Sequence, residues 1–288
     1  MEALKPFTIS IVVPSYNQAQ FLPATLDSLL AQDDPALEIV VVDGGSTDGS
    51  VDIIRRYEKH LAGWTSERDR GQSDALNKGF ARVQGEWLGW LNSDDLLQPG
   101  ALRELRAHIA RDPSRQWWIG GGHFIDARER PFRPYRAPHG LTEPAQLHDW
   151  SEFWFAQPST FFRRSLYDAA GASIREDLHY AMDLDLWLRF LKIAAPGFID
   201  AELSVYRHHP SGKTESASVG GEAEIVRVLV EHIGAERAMS RVRRLASERN
   251  ALRRAWDRWS MLLEPITAAG SKLRSRLARL AARKDPRP

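Results

Sequence analysis

The stretch WLGWLNSDDLLQPGAL, residues 87–102, holds the residue types and spacing that point most directly to chemistry. An apolar run from Trp87 to Leu91 breaks abruptly into Asn92-Ser93-Asp94-Asp95. A buried strand ending this way delivers two carboxylates to its carboxyl-terminal end, where open α/β sheets bind ligands. Adjacent carboxylates repel one another, and a hard divalent cation that also holds substrate phosphates relieves the repulsion. An acidic surface turn is the plainer account of the same four residues. Their company decides between the two.

Three more apolar runs end in polar clusters. TISIVVP (8–14) leads into Pro14-Ser15-Tyr16-Asn17, LEIVVV (37–42) into Asp43-Gly44-Gly45-Ser46, and a short run at 63–66 into Ser66-Glu67-Arg68-Asp69. In a parallel sheet these ends share one edge. A helix cap accounts for Ser46 or Asp48 alone, but not for four clusters converging. Farther on, HYAMDLDLWLRF (179–190) opens a helical pattern at Asp183. Asp185, two residues later, must point another way. Asp183 is either a helix cap or an acid facing a cleft. YRHHPSGKT (206–214) gathers Arg207, His208, His209 and Lys213. Trp150, Trp154 and Phe155 are either core aromatics or faces for sugar rings.

Taken in order, VPSYN, VVDGGSTDGS, SERDRGQSDALNKG and LNSDDLLQPGAL resemble family 2 glycosyltransferases of the GT-A fold, over about residues 8 to 214. That family moves a sugar from a nucleotide donor to an acceptor with inversion at the anomeric carbon. The resemblance implies that Pro14, Ser15, Tyr16 and Asn17 contact the nucleotide. It implies that Asp43 accepts a hydrogen bond from the base, usually uracil. The family often has two acids there, whereas this chain has Asp43-Gly44. Asp69, Arg70, Asp74 and Asn77 fall where ribose, pyrophosphate or donor sugar is contacted. Asp95 matches the direct metal ligand, and Asp94 the position reaching ribose or a metal-bound water. The pattern Tyr-Arg-x-His puts His209 near the metal or pyrophosphate, with Lys213 neutralising phosphate. Asp183 matches the general base. Gln157, in Gln157-Pro158-Ser159, and Trp154 are the acceptor-side candidates.

The chemistry explains why such residues are needed. A nucleoside diphosphate leaves with concentrated negative charge, and Mn²⁺ or Mg²⁺ bridging its phosphates neutralises that charge as it develops. No general acid is then required. One base suffices to take the acceptor proton, unlike the carboxyl pair of glycoside hydrolysis. The implied partners are a nucleotide-sugar donor, with UDP expected, and a hydroxyl acceptor on a glycan or lipid carrier. An oxidoreductase would want G-x-G-x-x-G after the first strand, where this chain has PSYNQAQ. A nucleotidyltransferase would want a Gly-rich basic loop there. A sugar-nucleotide-binding protein without transfer stays open.

Alternating apolar runs and amphipathic stretches position these residues. Strands are expected at 8–14, 37–42, 63–66, 86–91 and 197–206, and helices at 20–32, 73–83, 100–111 and 181–194. Short links between them imply right-handed βαβ units. Residues 128–150 read as irregular or as an antiparallel edge. The expected class is α/β: a GT-A-type fold with a mostly parallel central sheet and flanking helices over residues 1–215, and a basic helical extension over 216–288.

The chain has 288 residues, no cysteine and a formal charge of +1. Thiol catalysis and Cys-ligated zinc are excluded. Residues 235–288 hold 15 Lys+Arg against 5 Asp+Glu, a formal +10, and the rest hold 24 against 33, a formal −9. The tail carries two apolar stripes, one through Leu252, Trp256 and Trp259 and another through Leu273, Leu277 and Leu280. A solvated appendage, peripheral membrane contact and self-association are its competing accounts. Nothing else suggests nucleic acid. The amino terminus lacks a signal-peptide pattern, so a cytoplasmic location, or one on the cytoplasmic membrane face, is expected.

Overall fold

The computed structural model describes residues 7–148, 154–213 and 219–247. Its first half is a succession of strand and helix: β1 (Ile9–Ser15), α1 (Leu22–Leu30), β2 (Leu37–Asp43), α2 (Ser50–Tyr57), β3 (Gly63–Ser66), α3 (Gln72–Phe80) and β4 (Trp87–Trp90). β1 pairs in parallel with β2 and β4, and β2 with β3. Side chains alternate across a strand. Ile9, Ile11 and Val13 therefore enter one core layer with Leu26 and Leu105, while Val12 enters the opposite layer with Trp90 and Trp187. Burial on both faces is why these strands are continuous apolar runs.

The second half is β5 (Leu96–Leu97), α4 (Ala101–Arg111), β6 (Trp117–Ile125), β7 (Pro131–Tyr135), β8 (Thr160–Arg163), α5 (Arg164–Ala169), α6 (Met182–Leu191), β9 (Gly197–Arg207) and α7 (Val219–Ile233). The described strands form one sheet in the order β3-β2-β1-β4-β8-β6-β9-β5, with β7 on β6. β8 runs antiparallel to both β4 and β6, and β7 antiparallel to β6, so the sheet is mixed beyond β4. The edge expected within 128–150 is β7. The Gly120–Gly122 triplet lies inside β6. A Cβ on Gly120 would sit 2.3 Å from Leu203, and one on Gly122 2.2 Å from the Ser204 carbonyl, so β9 approaches too closely for side chains.

Helix α6 is pinned by Trp187, which stacks on Trp90 at 5.5 Å and Trp117 at 5.9 Å. Helix α7 adds Val228 and Leu229 to the same core. The compact unit built on the sheet runs to Ala238, and a second unit takes Met239–Pro288. Of the second unit only residues 239–247 are described, and they are helical. The apolar stripes expected over 252–280, and Trp150, lie outside the described residues. No helix among the described residues is long and apolar enough to cross a membrane.

Candidate active site

A cavity of about 660 Å³ opens at the carboxyl ends of β1 to β4 and is closed on its far side by α6 and the segment after β9. Pro14, Ser15, Tyr16, Asp69, Asp94, Asp95, Gln157, Asp183, His209 and Lys213 all line it. Residues more than 190 positions apart thus meet in one crevice. The Ser15 hydroxyl is buried there without a protein partner, and Tyr16 stands 62% exposed at the mouth.

The two adjacent carboxylates are held differently. Asp95 is buried. Its Oδ1 accepts from the Arg207 amide at 3.0 Å and its Oδ2 from Asn92 Nδ2 at 3.1 Å. Burial, and then the charge of Asp94, push the Asp95 carboxyl well above the usual carboxylate range. Asp94 Oδ2 instead lies 3.0 Å from His209 Nε2. The buried His209 ring packs on Phe21 and its Nδ1 meets Ser211 Oγ at 3.0 Å. Sequence reasoning expected Asp95 to be the loop ligand, but it is Asp94 that the fold brings to His209. Arg207, which the sequence only flagged as a neighbour, locks the pair. Its amide serves Asp95 and its Nε donates to the Asp94 carbonyl at 3.0 Å.

Among the described residues no group of three or more His, Asp or Glu is placed so that it could hold an ion by itself. Asp94 and His209, with Asp95 beside them, supply hard oxygen and imidazole nitrogen ligands. Such a partial set suits Mg²⁺ or Mn²⁺ when substrate phosphates complete the shell. The bond from His209 Nδ1 to Ser211 is the support a ligating imidazole needs. The residues present therefore fit the implied ion.

On the far wall, Asp183 opens α6 and Lys213 faces it. Burial raises the Asp183 carboxyl above its ordinary value, and the Leu184 amide and the Lys213 charge partly offset this. Burial lowers the Lys213 ammonium to about 8 against the charges of Asp183 and Glu224. Lys213 Nζ donates to Gln72 Oε1 at 2.8 Å. Asp185 points away into a buried knot, accepting from Arg189 Nε at 2.9 Å and contacting His232 Nε2 at 2.9 Å. The sequence did not foresee Glu224 on α7. Its Oε2 accepts amides of His179 (2.9 Å), Tyr180 (2.6 Å) and Ala181 (3.1 Å), the residues leading into Asp183. These three bonds outweigh the effect of burial and hold Glu224 below the ordinary glutamate value.

Several residues expected to contact the donor make hydrogen bonds within the scaffold. Asp43 was expected to meet the base, yet its Oδ2 accepts from Gly45 N (3.1 Å), Ser46 N (2.9 Å) and Ser66 Oγ (2.7 Å), which braces the loop. The carboxylate facing the cavity is Asp69. A Cβ on Gly44 would lie 2.6 Å from Asp69 Oδ2, so Asp69 fills the space a second acid at 44 would need. Asn17 Oδ1 accepts the Thr47 amide at 2.9 Å. Asp74 accepts the Arg70 amide and its guanidinium, both at 3.0 Å. Asn77 clasps the Ile174 backbone. None of these lines the cavity. Trp154 stacks on Phe124 at 5.4 Å beside the cavity-lining Tyr206, and Phe155 is buried in the core.

The sequence profile described as Glycosyl transferase family 2 matches residues 10–171. An uncharacterized protein of Mycobacterium tuberculosis, MT1568, is 31% identical over 225 residues, covering 72% of this chain and 69% of that protein. Among solved structures, residues 1–349 of S. aureus TarS in complex with UDP-GlcNAc align with a TM-score of 0.62 at 19% identity, covering 80% of this chain and 69% of that one. The mannosyltransferase PcManGT from Pyrobaculum calidifontis, in complex with GDP-Man and Mn²⁺, aligns with a TM-score of 0.54 at 21% identity, covering 80% and 63%. These structural likenesses are likenesses of fold. The chain spans roughly two thirds of the length of each relative.

Proposed function

The chain belongs to glycosyl transferase family 2, and on that premise we propose that the cavity binds a nucleoside-diphosphate sugar, with UDP as the nucleotide, and passes the sugar with inversion to a hydroxyl of a glycan or lipid-linked acceptor. The observation that carries this reading is the meeting, in one cavity, of the Asp94–His209 pair and Asp183 from opposite walls. Tyr16 and Asp69 flank the nucleotide end. Ser15 offers its spare hydroxyl. Lys213 faces the phosphates. Asp94 and His209, with Asp95 at their side, hold the divalent ion. When bound, that ion neutralises charge developing on the departing diphosphate.

Asp183 then does the remaining work. The acceptor oxygen bonds to the anomeric carbon while the bond to the diphosphate breaks, and Asp183 takes the hydroxyl proton. A carboxyl raised by burial is a stronger base than an ordinary aspartate. Trp154 and Gln157 lie on the acceptor side. Location on the cytoplasmic membrane face accords with a lipid-linked acceptor and the basic tail.

A donor screen by thermal shift with Mn²⁺ present tests the reading, because a ligand that binds only the folded state raises apparent stability by mass action. A UDP-sugar that raises Tm only with metal, followed by UDP release on adding acceptor, is the expected result. Stabilisation without any turnover would identify a sugar-nucleotide-binding protein, and no stabilisation by any nucleotide sugar would refute the reading.

A further inference from the structure

Beside the cavity, the hairpin of β6 and β7 carries an aromatic shelf of which the reading so far uses only Trp154. Phe124 is its centre, ringed by Trp154 at 5.4 Å, Tyr206 at 5.3 Å and Phe132 at 5.7 Å. Phe132 is 55% exposed, the most exposed large apolar side chain among the described residues after Tyr16. Its ring meets His208 at 5.8 Å, edge to face. Tyr206 and His208 both line the cavity, so the shelf is its direct continuation. It lies on the β6–β9 side of the sheet, whereas Tyr16, Gly44 and Asp69 stand at β1 to β3.

The shelf is also basic. The guanidinium of Arg133 sits 4.5 Å from the Phe124 ring centre. The two acids of the hairpin turn are already engaged, Asp126 by Arg130 and Glu129 by Arg207. Arg128, Arg133 and Arg136 are exposed and have no carboxylate partner among the described residues. A cation lying on an aromatic face keeps its outer edge free for a planar anion. Flat aromatic surface takes the apolar face of a sugar ring, and a guanidinium takes a carboxylate or phosphate in two parallel hydrogen bonds.

We propose that this shelf is an acceptor subsite for an anionic saccharide, whose ring lies against Phe132 and His208 and whose carboxylate or phosphate pairs with Arg133. The inference rests on the glycosyltransferase reading and narrows its acceptor to a negatively charged glycan. Exposed apolar surface next to a catalytic cavity then has a reason. The nucleotide end is untouched by it.

The full chain, with Mn²⁺ and UDP present, is titrated by calorimetry with three probes: a hexuronate oligosaccharide, its carboxyl-reduced neutral counterpart, and a phosphorylated glucan oligosaccharide. The hexuronate or the phosphorylated probe should bind at least tenfold more tightly than the neutral one, and whichever binds more tightly identifies the anion. Phe132→Ala and Arg133→Gln should each weaken that binding fivefold or more and leave UDP affinity unchanged. Equal affinity for charged and neutral probes, or full retention in both variants, would overturn the proposal. Failure of UDP itself to bind would fault the glycosyltransferase reading instead. Both substitutions lie on an exposed strand edge, and an unchanged Tm confirms folding.

Discussion

His209 Nε2 lies 3.0 Å from Asp94 Oδ2, joining two segments 115 residues apart at the floor of the cavity. This pair, with Ser211 behind the imidazole, is the proposed seat of the divalent ion. His209→Ala and Asp94→Asn should each abolish the metal-dependent part of UDP binding. Ser211→Ala removes only the outer support and should weaken Mn²⁺ affinity roughly 10–100-fold. Calorimetric titration of UDP at fixed Mn²⁺ checks all three. Unchanged metal dependence in His209→Ala would remove the histidine from the ion's shell.

Glu224 joins α7 to the amino end of α6 through three backbone amides. Glu224→Ala leaves those amides unpaired and should cost roughly 1–3 kcal/mol of stability, measured by urea unfolding at pH 7. The carboxyl is held below its ordinary value. Its contribution is therefore present above the usual glutamate range and is lost as pH falls through the folded value. The variant and the parent should converge in stability in acid. A constant difference down to acid pH would show that the charge of Glu224 is not what holds α6.

On the proposed mechanism, Asp183 and Lys213 set the pH range of transfer. Asp183 is raised by burial, and Lys213 is lowered to about 8. Transfer needs the Asp183 carboxylate, so its acid limb should lie above the ordinary aspartate range. It also needs the Lys213 ammonium, so activity should fall as pH rises through about 8. Lys213→Met removes the positive neighbour of Asp183, which raises that carboxyl further. The acid limb should then move to higher pH, and the fall near 8 should vanish. A pH–kcat profile with both limbs unmoved would contradict the pairing.

Gly44 is pressed against Asp69, where a Cβ would lie 2.6 Å from Oδ2. Gly44→Ala must displace that carboxylate. Losing one ligand hydrogen bond costs about 1–3 kcal/mol, so UDP affinity should fall roughly 5- to 160-fold with little change in stability. Unchanged affinity would show that Asp69 does not serve the nucleotide.

Much of this was legible in the sequence, because strands buried on both faces leave continuous apolar runs and the site lies where those runs stop. Pro14–Tyr16, Asp69 and Asp94 lie at or just past those strand ends and line the cavity, whereas Asp183, in the first turn of α6, was singled out by the resemblance of its segment. Asp185 was correctly set apart from Asp183 by helical spacing alone. What the sequence hid depends on contacts between distant segments. The turning of Asp43 into its own loop follows from Ser46 and Ser66 closing over it. The inward facing of Asp95 follows from the Arg207 amide arriving from β9. Glu224 has no local signature, since a glutamate in a helix reads as solvated surface until α7 is seen against α6. The antiparallel half, with β8 between β4 and β6, was obscured by a Gly-rich strand and by turns that carry no periodicity.

Asp183 is the centre of the account, and Asp183→Asn tests it most directly, because the amide keeps the shape and the bond to Leu184 but cannot take a proton. UDP affinity and transfer to a cognate acceptor are measured on the same preparation, with Asp185→Asn alongside. The account predicts donor affinity within about twofold of the parent and transfer reduced by ~10²–10⁴, the usual contribution of a positioned base. Asp185→Asn, buried against Arg189 and His232, should lose stability before it loses chemistry. Normal transfer by Asp183→Asn, or loss of donor binding as severe as the loss of transfer, would contradict the assignment and leave Asp183 as an acid of the first turn of α6, whose N-cap is Ala181.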